Sequence, residues 1–210
     1  MKKRIKFYLI LIFIFFAIFA INKVWEISRY YYVYEDMQPQ ELAELSVRKY
    51  IGEGKIVRHK GNLIGVDERK AGVFVSIYAE NQLRGCIGTM MPRYNDIKDE
   101  IVRNAIAAAT FDTRFKRVSK EELDKLAYSV DILSKLEKVD SVNELNPEKY
   151  GIIITSASWK RAVLLPDLPG INTTDVQIAI ARQKAGIRQD EEIKIQRFTV
   201  KRYSENKGNR

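Results

Sequence analysis

Residues 71–89 read AGVFVSIYAENQLRGCIGT, and they carry the first evidence on the fold class. Residues 72–79 are rich in β-branched and aromatic side chains, a composition typical of a strand. The polar turn Glu80-Asn81-Gln82 follows, and a second short run begins at Leu83. Two such runs around a polar turn predict a β-hairpin, with Cys86 on or just beyond its second strand.

The segments around this hairpin do not alternate regularly between strand and helix. Apolar spacing, capping residues and glycine breakers predict four helices, over 42–51, over 95–110, from Ser119, and from Thr174 to Gly186. Further strands are predicted over 128–133, 151–155, 162–165 and 193–203. This order predicts an α+β fold with a mixed or largely antiparallel sheet and flanking helices, and it disfavours a doubly wound nucleotide-binding fold.

Composition and charge narrow the function classes. The 210 residues are 46% hydrophobic and 30% charged, which suits one globular core. Four positive charges of the net +9 precede residue 7, which leaves +5 for the remainder and does not indicate a nucleic-acid partner. Cys86 is the only cysteine, which excludes an internal disulfide, a zinc knuckle and a self-contained iron–sulfur cluster. We therefore expect no metal and no cofactor.

The N-terminus carries a hydrophobic run. Residues 7–21 read FYLILIFIFFAIFAI, about 23 Å as a helix, and their apolar neighbours extend the run to 5–25. The pattern predicts a transmembrane helix that acts as an uncleaved signal anchor. A cleaved signal peptide is the alternative, but no small-residue cleavage site follows the run. The preceding basic residues place the N-terminus in the cytoplasm by the positive-inside rule, so the protein is predicted to be single-pass with an extracytoplasmic domain.

The predicted domain limits follow from this anchor. Residues 1–37 form the anchor and juxtamembrane segment, residues 38–205 the globular domain, and residues 206–210 a polar tail. Tyrosines cluster in 28–36, either as an interfacial belt at the membrane or on a helix that packs on the domain.

Residues 84–89, RGCIGT, hold the strongest candidates for chemistry. Cys86 is a candidate nucleophile, because Arg84 supplies positive charge that favours a thiolate. The flanking glycines let another molecule approach the backbone closely. The candidates for binding an anionic substrate here are Arg84, Gly85, Gly88 and Thr89. The structural alternative is that Cys86 is a small buried hydrophobe and that the glycines mark a bulge or tight packing.

A second candidate pair lies in Phe111-Asp112-Thr113-Arg114-Phe115, between two predicted helices. Asp112 is a candidate catalytic residue and Arg114 a candidate anion ligand, provided that the segment lines a cleft beside the hairpin. Otherwise Asp112 caps a turn or pairs with Arg114. His59, the only histidine, lies in a basic stretch typical of a solvated loop, so a histidine base for Cys86 is disfavoured.

Residues 71–89 resemble the AMMECR domain family, whose bacterial members are named after an AmmeMemoRadiSam system. The resemblance continues in further segments: Asp112-Thr113-Arg114-Phe115, Ser129-Val130-Asp131-Ile132-Leu133, Leu164-Leu165-Pro166-Asp167-Leu168, Gln177, and Lys184-Ala185-Gly186. Together these segments cover roughly 42–203. The resemblance implies a larger and a smaller lobe, with a cleft near Cys86.

The family resemblance also implies partners, a Memo-like protein and a radical SAM protein. We expect a membrane-anchored enzyme or enzyme subunit in which Cys86 reacts with a small anionic substrate near this cleft. The alternative is a non-catalytic scaffold or protein-binding module, also tethered to the membrane, in which the Cys86 hairpin is only a structural bend.

Overall fold

The computed structural model describes residues 12–19 and 28–204. Residues 12–19 are helical. From residue 28 onward the described helices are α1 (Pro39–Glu53), α2 (Ile97–Thr110) and α3 (Thr174–Ala185), with 3₁₀ helices at Lys120–Lys125 and Val142–Glu144. The strands are β1 (Tyr30–Val33), β2 (Ile56–His59), β3 (Val73–Ala79), β4 (Gln82–Thr89), β5 (Leu126–Leu133), β6 (Glu137–Lys138), β7 (Gly151–Ser156), β8 (Arg161–Leu164), β9 (Ile193–Phe198) and β10 (Val200–Ser204).

The predicted hairpin is present as β3 and β4. Its two-residue turn places Glu80 and Asn81 at φ 51° and 63°, a left-handed pair that matches the twist of the flanking strands. The hairpin belongs to an antiparallel sheet with the strand order β10-β5-β3-β4. β4 is therefore an edge strand, and Cys86 lies within it.

Helices α1 and α2 cover one face of this first sheet. On β3, Val73, Val75 and Ile77 are fully buried and share one hydrophobic core with Leu42 of α1 and Ile101 of α2. Side chains alternate between the two faces of a strand, so the intervening residues of β3 point to the opposite face. That opposite face carries the polar residues of the candidate site.

A second antiparallel sheet, in the order β6-β9-β7-β8, forms a smaller lobe with α3. Leu133, Ile153 and Phe198 form an apolar cluster that contains residues of both sheets. The single strand predicted over 193–203 is two strands, because the chain passes from the second sheet to the first at Thr199. The α+β prediction therefore holds, with two antiparallel four-stranded sheets and flanking helices.

The tyrosine-rich segment is not a helix along its length, because Tyr30–Val33 forms β1 and pairs in parallel with β2. The prediction for His59 is also wrong. His59 lies on β2 with 6% of its surface exposed, and its Nε2 donates to the Glu35 carbonyl oxygen over 2.8 Å.

The predicted transmembrane helix is contradicted. Across residues 12–19 and 28–204, the structure contains no helix with the length and apolar character that a membrane crossing requires. The remaining residues of the predicted 5–25 span lie outside this description, as does the polar tail 206–210. The finding overturns the membrane anchor and, with it, the single-pass extracytoplasmic localisation that rested on the anchor.

Candidate functional site

The site is built on the outward face of β4, β3 and β5. Ser76 lies opposite Cys86 on one side and opposite Ser129 on the other, so these three side chains form one row across the strands. The Ser76 hydroxyl donates to Cys86 Sγ over 3.3 Å. Cys86 is half-buried and Ser76 and Ser129 are buried, so the row forms a partly covered polar strip on the sheet.

Asp112 and Arg114 close the open edge of β4 at Cys86. The Cys86 backbone N–H donates to Asp112 Oδ2 over 2.8 Å, and Arg114 Nη2 donates to the Cys86 carbonyl oxygen over 3.3 Å. These bonds replace the strand that an edge position lacks, and they leave no backbone polar group of Cys86 unsatisfied. The structure therefore brings the predicted residues Cys86, Asp112 and Arg114 together.

Arg114 is held in a fixed orientation by the buried Asp112 carboxylate. Its Nε donates to Oδ1 over 2.9 Å and its Nη2 to Oδ2 over 2.7 Å. These hydrogen bonds from Arg114, together with that from the Cys86 N–H, lower the pKa of Asp112 from 3.8 to about 2. Asp112 therefore stays ionised, and it is already occupied as an acceptor rather than poised to remove a proton.

A second Asp–Arg pair lies one row away on the same face. Arg202 of β10 is opposite Asp131 of β5, and its Nε and Nη2 donate to the two oxygens of that carboxylate over 2.7 Å and 3.1 Å. Asp131 is 4% exposed, whereas more than a third of the Arg202 side chain is exposed. Asp131, like Asp112 and Arg114, acts electrostatically on the Cys86 thiol.

The thiol itself is not activated by these surroundings. Burial raises the pKa of Cys86, and the carboxylates of Asp112 and Asp131 act in the same direction. The Ser76 hydrogen bond and the Arg114 charge oppose the increase without reversing it. Cys86 is therefore a neutral thiol at neutral pH, in contrast to the thiolate of an activated cysteine nucleophile.

Arg84 makes contacts other than those the sequence suggested. Its Nε donates to Glu122 over 2.7 Å, and its Nη1 donates to the Lys116 carbonyl oxygen over 2.7 Å. Its Nη2 donates to Glu122 and to the Arg117 carbonyl oxygen. All three nitrogens of the guanidinium are thus used to hold the segment that follows α2, and none is directed to Cys86.

The two glycines pack closely against neighbouring residues. A Cβ at Gly85 would overlap the carbonyl oxygen of Ala108, so the absent side chain lets α2 approach β4. A Cβ at Gly88 would overlap the ring of Phe74. Thr89 is buried and donates to Glu100 of α2, away from the row. These contacts match the alternative interpretation of the sequence, in which the glycines beside Cys86 mark tight packing.

The comparisons with known proteins agree with this architecture. The AMMECR1 family model matches residues 40–206. The chain belongs to the AMMECR1 family. A Thermotoga maritima protein is 44% identical over 160 residues, which are 75% of this chain and 91% of that protein. A Clostridium acetobutylicum protein is 41% identical over 167 residues, 79% of this chain but 35% of that protein.

A solved structure shares the AMMECR1 fold. The crystal structure of the uncharacterized protein PH0010 from Pyrococcus horikoshii aligns with a TM-score of 0.68 at 26% identity. The alignment covers 80% of this chain and 90% of that one. The resemblance predicted from residues 71–89 and the later segments is thereby confirmed.

Sequence reasoning missed four residues of this AMMECR1 surface, namely Ser76, Ser129, Asp131 and Arg202. The sequence pattern does indicate two of these four residues. Ser129 and Asp131 alternate with apolar residues in the predicted strand 128–133, which places both on the polar face. Arg202 gave no such signal, because it meets Asp131 from 71 positions away along the chain.

Proposed function

We propose that this AMMECR1 domain binds a small anionic molecule on the surface around Cys86, where two arginines are each held in place by an aspartate. The observation that carries the proposal is the pair of aspartate-held guanidiniums, Arg114 and Arg202, beside the Cys86–Ser76–Ser129 row. A carboxylate or phosphate group is the natural ligand for such donors.

The two arginines have donor capacity to spare. In each, Nε and Nη2 are bonded to the aspartate, while Nη1 has no hydrogen-bond partner within residues 28–204. Because the aspartates fix the guanidinium planes, little side-chain entropy is lost when an anion binds. The hydroxyls of Ser76 and Ser129 supply further polar contacts between the two positions.

The neutral thiol supports binding over covalent catalysis. A nucleophilic Cys86 would need a lowered pKa or a nearby base, but burial raises its pKa and Asp112 is occupied by four hydrogen bonds. Cys86 contributes a small, weakly polar contact to the surface in this proposal, and it serves as a probe of occupancy.

The test uses alkylation of Cys86 in the full chain as its readout. Inorganic phosphate and succinate are the probes, because one presents a tetrahedral phosphate and the other presents planar carboxylate groups, and sodium chloride matches the ionic strength. We expect one of them to slow alkylation saturably. If neither slows it beyond the chloride control, the proposal fails.

Lysine variants identify the residues responsible. Arg114→Lys and Arg202→Lys keep a cation beside each aspartate but remove Nη1. Each should weaken protection about tenfold, the loss of one charge-assisted hydrogen bond of about 1.5 kcal/mol. Arg188→Lys is the matched control, because Arg188 is an exposed arginine that also pairs with a neighbouring aspartate. Equal protection of Cys86 from alkylation in all three variants would contradict the assignment of Arg114 and Arg202 as anion ligands.

We also propose, on the family relationship, that the chain acts with a Memo-like protein and a radical SAM protein. AMMECR1 membership supports this proposal. Sedimentation of the purified chain mixed with each partner tests it. A complex should appear with one or both, and sedimentation as separate species in both mixtures would count against the partnership.

A further inference from the structure

A groove of about 930 Å³ opens on the smaller lobe, away from the Cys86 row. Its apolar lining comes from the segment after β6, from α3, from β9 and from the β7–β8 turn: Val139, Val142, Ile178, Ile193, Ile195 and Trp159. Val142 and Trp159 are exposed, and the three isoleucines are partly buried against the core of the smaller lobe. An open apolar groove of this kind is typical of a surface that a partner covers.

The groove follows an open edge of the second sheet. β6 pairs with β9 only at Arg197 and Gln196. Beyond them the Val139 N–H donates to the Ile195 carbonyl oxygen over 3.2 Å, and no described strand continues along Ile193 and Lys194 on that side. An extended segment of another protein can lie along such an edge, with its side chains in the apolar groove.

The charged residues of the groove are mostly positive. They are Lys138, Arg161, Arg182 and Lys194, against the single acidic residue Asp140. Asp140 is already paired with Lys138 over 2.6 Å. Arg161 and Lys194 lie on either side of Thr155 in one row across three strands, and neither forms an ion pair with any described residue. Lys194 alternates with Ile193 and Ile195 along β9, so the unpaired positive charge lies on one face of this sheet edge and the isoleucines lie on the other.

Trp159 marks one end of the groove. It lies in the turn between β7 and β8 with 85% of its surface exposed and a positive φ of 63°. A left-handed backbone is unfavourable for a tryptophan, and exposure of its indole is not offset by packing within the described chain. Tryptophan and arginine are the residue types enriched where partners bind most tightly.

We propose that this groove docks an extended acidic segment of a partner protein, whose apolar side chains pack against Trp159 and the isoleucines. Charge complementarity selects an acidic occupant. A second copy of this chain, with a net charge of +9, is a poor match for a positive groove. The proposal rests on residues separate from Arg114 and Arg202, so it stands or falls independently of the anion site.

Random peptides displayed on phage and selected against the immobilised full chain test the proposal. The enriched peptides should carry an excess of Asp and Glu together with aromatic or aliphatic residues. Fluorescence anisotropy of an enriched peptide then measures its Kd, which should weaken as salt is added because the pairing charges are exposed. Failure to enrich peptides, or enrichment without an acidic excess, would overturn the proposal.

Variants locate the binding. Trp159→Ala, Arg161→Glu and Lys194→Glu should each weaken the Kd at least about tenfold. Tyr34→Ala and Lys125→Glu are the matched controls, since both residues are exposed and neither lines the groove, and they should stay within about twofold. Unaltered thermal unfolding checks the fold of each variant.

Two further results would decide against this occupant. An equal loss of peptide affinity in the groove variants and the control variants would show that the peptide does not bind in the groove. Self-association of the chain that Trp159→Ala abolishes would make a second copy the occupant. Arg114→Lys should leave peptide binding unchanged, which separates this experiment from that on the anion site.

Discussion

Replacing Asp112 by asparagine should destabilise the protein far more than its single lost charge suggests. The carboxylate accepts from the Cys86 N–H and from three nitrogens of Arg114. An asparagine has one acceptor oxygen, and its amide group would face donors. At least one buried donor at the edge of β4 would then lose its partner, which costs about 1–3 kcal/mol.

The lowered pKa of Asp112 gives a second estimate of the free energy that this carboxylate contributes to stability. Asp112 titrates at about 2 in the folded protein against an ordinary 3.8. At about 1.36 kcal/mol per unit, the difference corresponds to roughly 2.5 kcal/mol of stability. Because the folded pKa is the lower one, this stabilisation is complete above pH 4 and is lost as the pH falls toward 2. The second value lies within the range of the first, so we expect a loss of about 1–3 kcal/mol at pH 7.

Urea unfolding of the full chain, followed by far-ultraviolet circular dichroism, measures this loss. Asp124→Asn is the matched control, because Asp124 pairs with Arg48 but its side chain is 89% exposed, so its loss should stay within about 0.5 kcal/mol. The gap between wild type and Asp112→Asn should narrow as the pH falls from 4. Similar small losses in both variants would refute the view that Asp112 closes the edge of β4.

Two glycine substitutions and one tryptophan comparison probe other parts of the fold. Gly85→Ala should cost about 1–3 kcal/mol, because its methyl group overlaps the Ala108 carbonyl oxygen, whereas Gly52→Ala, with open space in α1, should gain up to about 1 kcal/mol. Urea midpoints that shift from the wild-type value in opposite directions would confirm this expectation. Lower midpoints for both variants would contradict it. Trp159→Gly should be about 1 kcal/mol more stable than Trp159→Ala, since only glycine relieves the positive φ. Equal stability of these two variants would mean that the turn is unstrained.

Local sequence signals were sufficient for most elements of the fold. The composition of 71–89 predicted the β3–β4 hairpin, and capping residues predicted α2 and α3, because these signals depend on neighbouring residues. The single strand predicted over 193–203 is two strands in the structure. The sequence did not indicate the break, since apolar residues continue across Thr199 and only the tertiary structure assigns the two halves to different sheets.

The candidate site was less accessible to sequence reasoning. Asp112 and Arg114 are two residues apart, and their pairing was among the alternatives considered. Arg84 was expected to activate Cys86, yet its partner Glu122 is 38 positions away and no local pattern indicates it. The membrane anchor was inferred from hydropathy alone, and no helix in the described residues supports it.

The pH dependence of Cys86 alkylation distinguishes a surface that binds with a neutral thiol from one that reacts through a thiolate. Iodoacetamide labelling of the folded full chain, quantified by mass spectrometry, is compared with the urea-denatured chain across the alkaline range. We expect a midpoint above that of the denatured chain, because burial raises the Cys86 pKa. A midpoint below the denatured value would contradict it and restore Cys86 as a candidate nucleophile.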